Sequence, residues 1–301
     1  MLVTVGICVR NAESVISSTI RSVLEQDFPH DEMEIVLIDD GSTDRTLEVA
    51  KKIFSGVKAR TRIYSQKWKG IATARNVVVS TAKGKYILWA DAGMQIARNY
   101  LRKHVDYMER RSRVGMARGR YDFVRSSSIV GLLENSRAFD IRGRNSKLIG
   151  TGGSMWRTEA IRQVGGFDER IKGAGEDTEA LIRMLQQGWS LAVVNTRFLE
   201  KFKDSRQSVW IQYYWWGYGA HYVWHKHKHI ISFLGRLPPA SFFTGLLRIF
   251  PVYKKDHRIV YLLLPFHEVF RNAAWCAGFV SSHFKDLGHN LPRIEPSVHA
   301  G

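Results

Sequence analysis

The chain has 301 residues, with 45% apolar and 24% charged side chains, which excludes collagen-like, disulfide-rich and wholly disordered classes and allows one large domain or two ordinary ones. Its formal net charge is +17, and residues 98–147 and 197–301 carry +8 each. Such a field draws anions (nucleic acid, phosphorylated ligands or an anionic membrane face) unless it is only a solvated basic surface.

Residues 1–9 hold no basic run followed by a cleavable apolar stretch, so no secretion signal is expected there. Residues 2–9 are β-branched and read as a buried strand. Val15, Ile16, Ile20, Val23 and Leu24 give helical spacing over residues 12–26, stopped by Pro29. A second strand over 34–38 ends in Asp39-Asp40-Gly41-Ser42, and Ser42 or Thr43 can cap the next helix. A third strand at 57–64, a helix at 70–82 and a fourth strand at 85–90, ending at Asp91, complete a β-α-β-α-β-α-β order. That order predicts an α/β fold with a Rossmann-like, mostly parallel sheet and helices on both faces. Ligands bind such sheets beyond the carboxyl ends of the strands, where this chain places Arg10-Asn11, Asp39-Asp40 and Asp91.

The second half predicts a basic helix at 99–111, a strand at 114–124, a glycine-rich turn at 150–154, a helix at 158–164, a helix at 176–187 and a strand at 190–195. Composition then shifts. Residues 201–301 hold nine of the 11 histidines and five of the nine tryptophans. Pro238-Pro239 is expected to separate two helical stretches. Over 241–250, Ser241, Thr244, Gly245 and Arg248 share one face, and Phe242, Phe243, Leu246, Leu247, Ile249 and Phe250 cover the rest. Over 259–281, His267, Glu268, Arg271 and Asn272 form a similar stripe. We expect amphipathic helices lying in a membrane interface, against the alternative of ordinary helices packed on a core. No run of 18 apolar residues predicts a spanning helix. His225, His227 and His229 alternate, which suits solvated basic residues better than a metal site. Cys8 and Cys276 make neither a disulfide framework nor a metal-ligand spacing.

Three acidic positions carry candidate chemistry. Asp39 or Asp40 can accept from a base or ribose donor, or can serve as a cap and turn. Asp91, with the carbonyl oxygen of Gln95 near in sequence, can ligate a hard cation together with substrate phosphates. Asp177, in Gly175-Glu176-Asp177-Thr178-Glu179, is either a first-turn acid that suits the helix dipole or a general base.

The order of these pieces resembles family 2 glycosyltransferases over residues 1–200. The stretches Val3–Val9 with Arg10-Asn11-Ala12-Glu13, Glu34-Ile35-Val36-Leu37-Ile38-Asp39-Asp40-Gly41-Ser42, Ala74-Arg75-Asn76, Gly152-Gly153-Ser154, Gly165-Gly166-Phe167-Asp168-Glu169 and Gly175-Glu176-Asp177 carry the likeness. The resemblance implies a nucleotide-diphosphosugar transferase fold of the GT-A type and inversion at the anomeric carbon. It implies nucleotide contacts from Val9, Arg10, Asn11, Glu13, Asp39, Asp40, Arg75 and Asp91. Asp91 would be the first acid of a metal-binding Asp-x-Asp whose second acid is Gly93 here, and Gln95 stands where dolichyl-phosphate mannose synthase-like relatives carry a metal-contacting Gln. The cofactor implied is Mn2+ or Mg2+. Gly152, Gly153, Ser154 and Glu176 would lie near the transferred sugar and acceptor, with Asp177 as base. Gln212 and Trp216 loosely resemble the Gln-x-x-Arg-Trp motif of cellulose synthase-like enzymes.

The expected organisation is a catalytic domain at 1–200 and a membrane-interface region at 201–301. The expected activity moves a hexose, with GDP-mannose favoured over a UDP-hexose, to a lipid-linked acceptor at the cytoplasmic face of a membrane. The alternatives are an impaired, transferase-like scaffold, marked by Gly93, and a basic nucleic-acid-binding protein; no nucleic-acid partner is expected, because no stacking-sheet or groove-helix signature is present.

Overall fold

A computed structural model describes residues 1–57, 59–123, 126–141, 150–171, 173–200, 203–227 and 234–285. Val124, His229, His289 and His299, and residues 142–147 of the first basic block, lie outside the described residues. The chain divides into two units. One comprises Met1–Glu169 and Asp177–Lys203, the other Arg170–Glu176 and the chain from Asp204 onward.

The first unit is built on an eight-stranded sheet. Its elements are β1 (Val3–Val9), α1 (Ile16–Leu24), β2 (Met33–Asp40), α2 (Thr46–Phe54), β3 (Arg60–Gln66), α3 (Ile71–Thr81), β4 (Tyr86–Trp89), β5 (Met94–Ile96), α4 (Tyr100–Glu109), β6 (Val114–Phe123), α5 (Ile129–Ile141), β7 (Ser154–Arg157), α6 (Thr158–Gln163), α7 (Glu176–Gln186, whose first residue groups with the second unit) and β8 (Ser190–Glu200). Strand order is β3-β2-β1-β4-β7-β6-β8-β5. The β1–β2, β2–β3, β1–β4 and β6–β8 pairs are parallel, and β4–β7, β6–β7 and β5–β8 are antiparallel. The mostly parallel α/β expectation therefore holds, and each antiparallel pair involves one of the short strands β5 and β7.

Strand alternation sorts the core into two layers. Val3, Val5, Ile7, Ile35 and Leu37 face α1, α2 and α4, where Ile16, Ile20, Phe54 and Leu101 meet them. Val36, Ile38, Trp89 and Trp156 face α3, α6 and α7, against Val78, Ile161, Leu181 and Met184. At the sheet edge, β3 carries Arg60 and Arg62, charges that blunt further pairing.

Several bounds differ from the sequence reading. The first helix starts at Ile16 rather than near residue 12, because Asn11 takes a left-handed φ of 50° and Ala12 N–H donates to Thr46 Oγ1 at 2.7 Å. β8 runs on to Glu200 because β6 and β5 pair with it on opposite sides. The short strands β5 and β7 show too few residues for a period-2 signal.

The second unit holds α8 (Arg206–Lys226), α9 (Pro238–Asp256) and α10 (Leu264–Phe284), the last preceded by a 3-10 turn at Ile259–Leu263. Pro238 and Pro239 stand between α8 and the body of α9, as the first residues of α9, where a missing N–H costs nothing. Glycines let α8 and α10 cross closely: a methyl at Gly217 would collide with the Trp275 carbonyl, and one at Gly278 with that of Tyr214. Between α9 and α10 the polar stripes read from sequence point inward. Glu268 accepts from Arg248 and Arg271, and all three are largely buried. Some apolar residues point outward: Phe243, Leu246, Leu247 and Phe250 on α9, Ile259 and Leu262 on the turn, and Phe266 on α10 are exposed, while Val252, Leu264, Trp275 and Phe279 are buried. Among the described residues, no helix is long and apolar enough to cross a membrane.

Candidate active site

The carboxyl ends of β1 and β2 are stapled to each other. Asn11 N–H donates to Ser42 Oγ at 3.0 Å, and Asn11 Oδ1 accepts from Thr43 N–H at 2.8 Å. Glu13 accepts from Arg45 Nε at 2.8 Å, and that bond holds its carboxyl below the usual carboxylate range. Asn11 and Glu13 thus shape the rim through contacts within the chain. Val9 is buried opposite Asp39, while Arg10 is exposed and lays its guanidinium over the Trp68 ring, 4.9 Å from the centroid. Trp68 lies outside the sequence motifs, and only its 61% exposure as a large indole in a loop marks it.

The two adjacent aspartates separate in role. Asp40 accepts from Gln66 Nε2, Lys69 N–H and Gly70 N–H at 2.8–2.9 Å, so its carboxylate orders the turn that starts α3. Asp39 accepts longer bonds, from Ser42 N–H at 3.3 Å and Ser65 Oγ at 3.2 Å.

Asp91 leaves β4 on the same rim. Val9 pairs with Asp39 and Gly6 with Trp89. Asp91 therefore comes level with the end of β1, two strands and about 10 Å from Asp39. Arg75, buried on α3, reaches Asp91 Oδ1 at 3.4 Å. It is held there by Trp89 and Phe167, whose ring centroids lie 5.7 and 5.8 Å from the guanidinium. Phe167 is fixed in turn by Asn76, which accepts from its N–H and donates to its carbonyl. Motif residues Asn76 and Phe167 thus act as props for Arg75.

The glycine-rich loop joins Asp91 to Asp177. Asp177 Oδ2 accepts from Thr151 N–H at 3.0 Å and Thr151 Oγ1 at 3.3 Å, while Oδ1 accepts from Thr178 N–H at 2.6 Å. A Cβ at Gly152 would stand 2.8 Å from Asp91 Oδ2, and one at Gly150 3.2 Å from Asp177 Oδ2. Since two residues span at most about 7 Å, the two carboxylates lie within roughly 13 Å of each other across this loop. Gly153 N–H donates to the Trp89 carbonyl at 3.0 Å and its own carbonyl accepts from Tyr100, so the loop is clamped to the sheet. Ser154 is buried and donates to the Thr151 carbonyl, which makes it a loop brace.

Met94 shares Gly152 with Asp91, and alternation along β5 turns the exposed Gln95 to the face opposite Met94. An acid takes the Met94 side. Glu200 pairs with Met94 across β5–β8, which places both side chains on one face. Burial and the negative charge of Asp91 push the Glu200 carboxyl up, against a hydrogen bond from Tyr121 and the charges of Arg118 and Arg137. Nothing in the sequence pattern marked Glu200, which closes an otherwise ordinary strand. In the second unit, Glu176 is buried at the head of α7. Gln212 and Trp216 lie half-buried on α8, with Trp216 edge-on to Tyr213 at 4.9 Å in an aromatic cluster.

The model for glycosyl transferase family 2 matches residues 4–164, more than half of the chain, and that for glycosyl transferase family group 2 matches residues 86–281. An uncharacterized glycosyltransferase of Haemophilus influenzae is 34% identical over 122 residues, 40% of this chain and 48% of that protein. The Escherichia coli UDP-Glc:alpha-D-GlcNAc-diphosphoundecaprenol beta-1,3-glucosyltransferase is 33% identical over 122 residues, 40% of this chain and 46% of that protein. The chain thus spans about half the length of these curated relatives, or less. Among solved structures, a mannosyltransferase from Pyrobaculum calidifontis in complex with GDP-Man and Mn2+ superposes with a TM-score of 0.66 at 16% identity, over 94% of this chain and 87% of that one. S. aureus TarS in complex with UDP gives 0.54 at 16% identity, over 95% and 92%. Those two likenesses concern the fold, which is of the GT-A type. The matched segment carries β1 through α6, and with it Asp39, Arg75, Asp91 and the glycine loop, so this chain belongs to glycosyl transferase family 2.

Proposed function

We propose that the chain is an inverting glycosyltransferase that moves a hexose from a nucleoside diphosphosugar to a hydroxyl of a lipid-linked acceptor at an anionic membrane face. One observation carries the reading: Arg75, Asp91 and Asp177 come off different elements to the Gly150–Gly153 loop, and Asp39 ends β2 on the same side of the sheet as Asp91.

Each part has a task. Asp39, with its loosely held oxygens, accepts from the base, and the exposed Trp68 face beside it offers a stacking platform. Arg75 draws the diphosphate toward Asp91. The Asp177 carboxylate, fixed by Thr151, takes the acceptor proton as the hydroxyl attacks the anomeric carbon from the face opposite the leaving diphosphate. The glycine loop leaves room for the sugar between the two acids. A divalent ion fits this rim: Asp91 is a hard oxygen donor against a cradle that a single Cβ would fill, and Glu200 supplies a second carboxylate on that face. Asp91, with Glu200, would hold Mn2+ or Mg2+, which when bound offsets the charge that develops on the leaving diphosphate.

GDP-mannose is the first reading of the donor, supported by the fold shared with the GDP-Man-bound mannosyltransferase. A UDP-hexose is the second, favoured by the sequence relative named for UDP-Glc and a diphosphoundecaprenol acceptor. That acceptor class suits a lipid surface. The outward apolar residues of α9 and its following turn stand beside exposed Lys254, Lys255 and Arg258, the composition that seats a helix among anionic headgroups. The reading places the enzyme on the cytoplasmic face, where nucleotide sugars are available.

The test is transfer from labelled GDP-mannose, UDP-glucose and other UDP-hexoses to polyprenyl phosphates in anionic vesicles with Mn2+ or Mg2+. One donor should give labelled lipid. Failure of UDP and GDP to bind with either ion would instead support the scaffold, and salt-sensitive binding of single-stranded RNA the nucleic-acid alternative.

A further inference from the structure

We propose that His221, His225 and His283 form a second metal site, for a borderline ion such as Zn2+, that ties α8 to α10. Three imidazole nitrogens converge there. His221 Nε2 lies 3.0 Å from His225 Nε2 and 3.2 Å from His283 Nδ1, and all three lie within 4.8 Å of one another. Nitrogens at ~2.1 Å from a tetrahedral Zn2+ stand about 3.4 Å apart, so the trio needs only a small adjustment to share one ion.

Hydrogen bonding alone does not account for the convergence. An imidazole nitrogen carries either one proton or one in-plane lone pair. His221 Nε2 can therefore make one good bond, yet two nitrogens crowd it. A cation that accepts all three lone pairs satisfies each ring at once, with water as the fourth ligand.

The surrounding helices preset this arrangement. His221 and His225 are four residues apart and share one face of α8. His283 lies in the last turn of α10. The close glycine crossings at Gly217 and Gly278 hold the two helices at short range. His221 is buried, His225 half-buried and His283 exposed, so an ion enters from solvent past His283 and is held against an apolar wall. Phe279 packs edge-on to His221 at 4.8 Å and Trp224 edge-on to His225 at 4.8 Å. An all-nitrogen donor set prefers Zn2+, Ni2+ or Cu2+ to Mn2+ or Mg2+. The site is thereby chemically distinct from the oxygen donors at Asp91 and independent of the transferase reading. Of the alternating His225, His227 and His229, His225 joins the cluster, and its partners come from outside that run.

The full chain, stripped with chelator, is titrated with Zn2+ and with Co2+. We expect one Zn2+ per chain bound in both wild type and Asp91→Asn, intense visible Co2+ bands of a tetrahedral site, and a rise of several degrees in Tm on adding Zn2+. His283→Ala is the first variant because that side chain is exposed. It should unfold without metal at the wild-type temperature yet bind Zn2+ more than about 100-fold more weakly, beyond the 10–100-fold typical of losing an outer-shell partner. His225→Ala/His283→Ala should lose the Co2+ bands altogether. Undiminished Zn2+ affinity in the double variant, or no Zn2+ bound by folded wild type, would overturn the proposal.

Discussion

Gly152→Ala separates folding from chemistry at the loop between the two acids. The added methyl would stand 2.8 Å from Asp91 Oδ2 and 2.9 Å from Met94 Cε. Ordinary carbon–oxygen contact requires roughly 0.5 Å more, and carbon–carbon contact more again. Gly152 is not among the glycines with positive φ, so its backbone accepts alanine. The Asp91 side chain is 41% exposed and can swing away, which limits the stability loss to about 1.5 kcal/mol. The displaced carboxylate no longer meets the diphosphate, and a shift approaching 1 Å costs up to about 100-fold in turnover. Gly153→Ala is the counter-case. Its φ is +66° and its methyl would strike the buried Phe198 ring at 2.8 Å. Left-handed strain and overpacking together cost about 2–5 kcal/mol. Urea unfolding and donor turnover, measured on both variants, decide the matter. Gly152→Ala with wild-type turnover, or with stability as low as Gly153→Ala, would refute the placement of the loop against Asp91.

Burial pushes His104 down to about 4, and its Nδ1–H must donate to the Tyr100 carbonyl at 2.9 Å, leaving Nε2 buried without a partner among the described residues. The unfolded chain takes up this proton near pH 6.5 and the folded chain only near 4, so stability should fall from pH 6.5 to 4 by up to ~1.4 kcal/mol per unit; urea midpoints for His104→Gln should show a flatter profile, and an unchanged slope would assign the effect elsewhere. Glu268→Ala leaves Arg248 and Arg271 buried without their shared carboxylate and should cost about 3–5 kcal/mol in urea unfolding, whereas a loss below 1 kcal/mol would mean the cluster is solvated. Leu247→Asp/Phe250→Asp alters side chains 79% and 73% exposed, so unfolding should not change, while flotation with anionic vesicles should weaken more than tenfold; undiminished flotation would remove α9 from the membrane face.

The parallel half of the fold was legible because β1, β2 and β4 are largely apolar runs closed by polar turns. The rim residues Asp39, Asp91 and Asp177 followed from strand ends and a helix start, which need no knowledge of distant pairing. Glu200 did not, since its importance depends on β8 pairing with β5 and on Met94 facing Gly152, contacts between segments far apart in the chain. The face that Gln95 takes was not legible for the same reason: it is set by pairing with Leu199. Asp40 and Asp39 look alike in sequence, and only the hydrogen bonds from Lys69 and Gly70 give Asp40 its loop-holding role. On α9 and α10 the stripes were read correctly as periodic. Which stripe faces inward was set by Glu268 gathering two arginines, a choice that periodicity alone leaves open.

Asp177→Asn tests the transfer chemistry most directly, because the change keeps the side chain's shape while removing its capacity to take a proton. With the donor identified by screening, sugar-nucleotide affinity should stay within about threefold of wild type while turnover falls by roughly 100- to 10,000-fold. Wild-type turnover in that variant would contradict a deprotonating role for the acid at the head of α7.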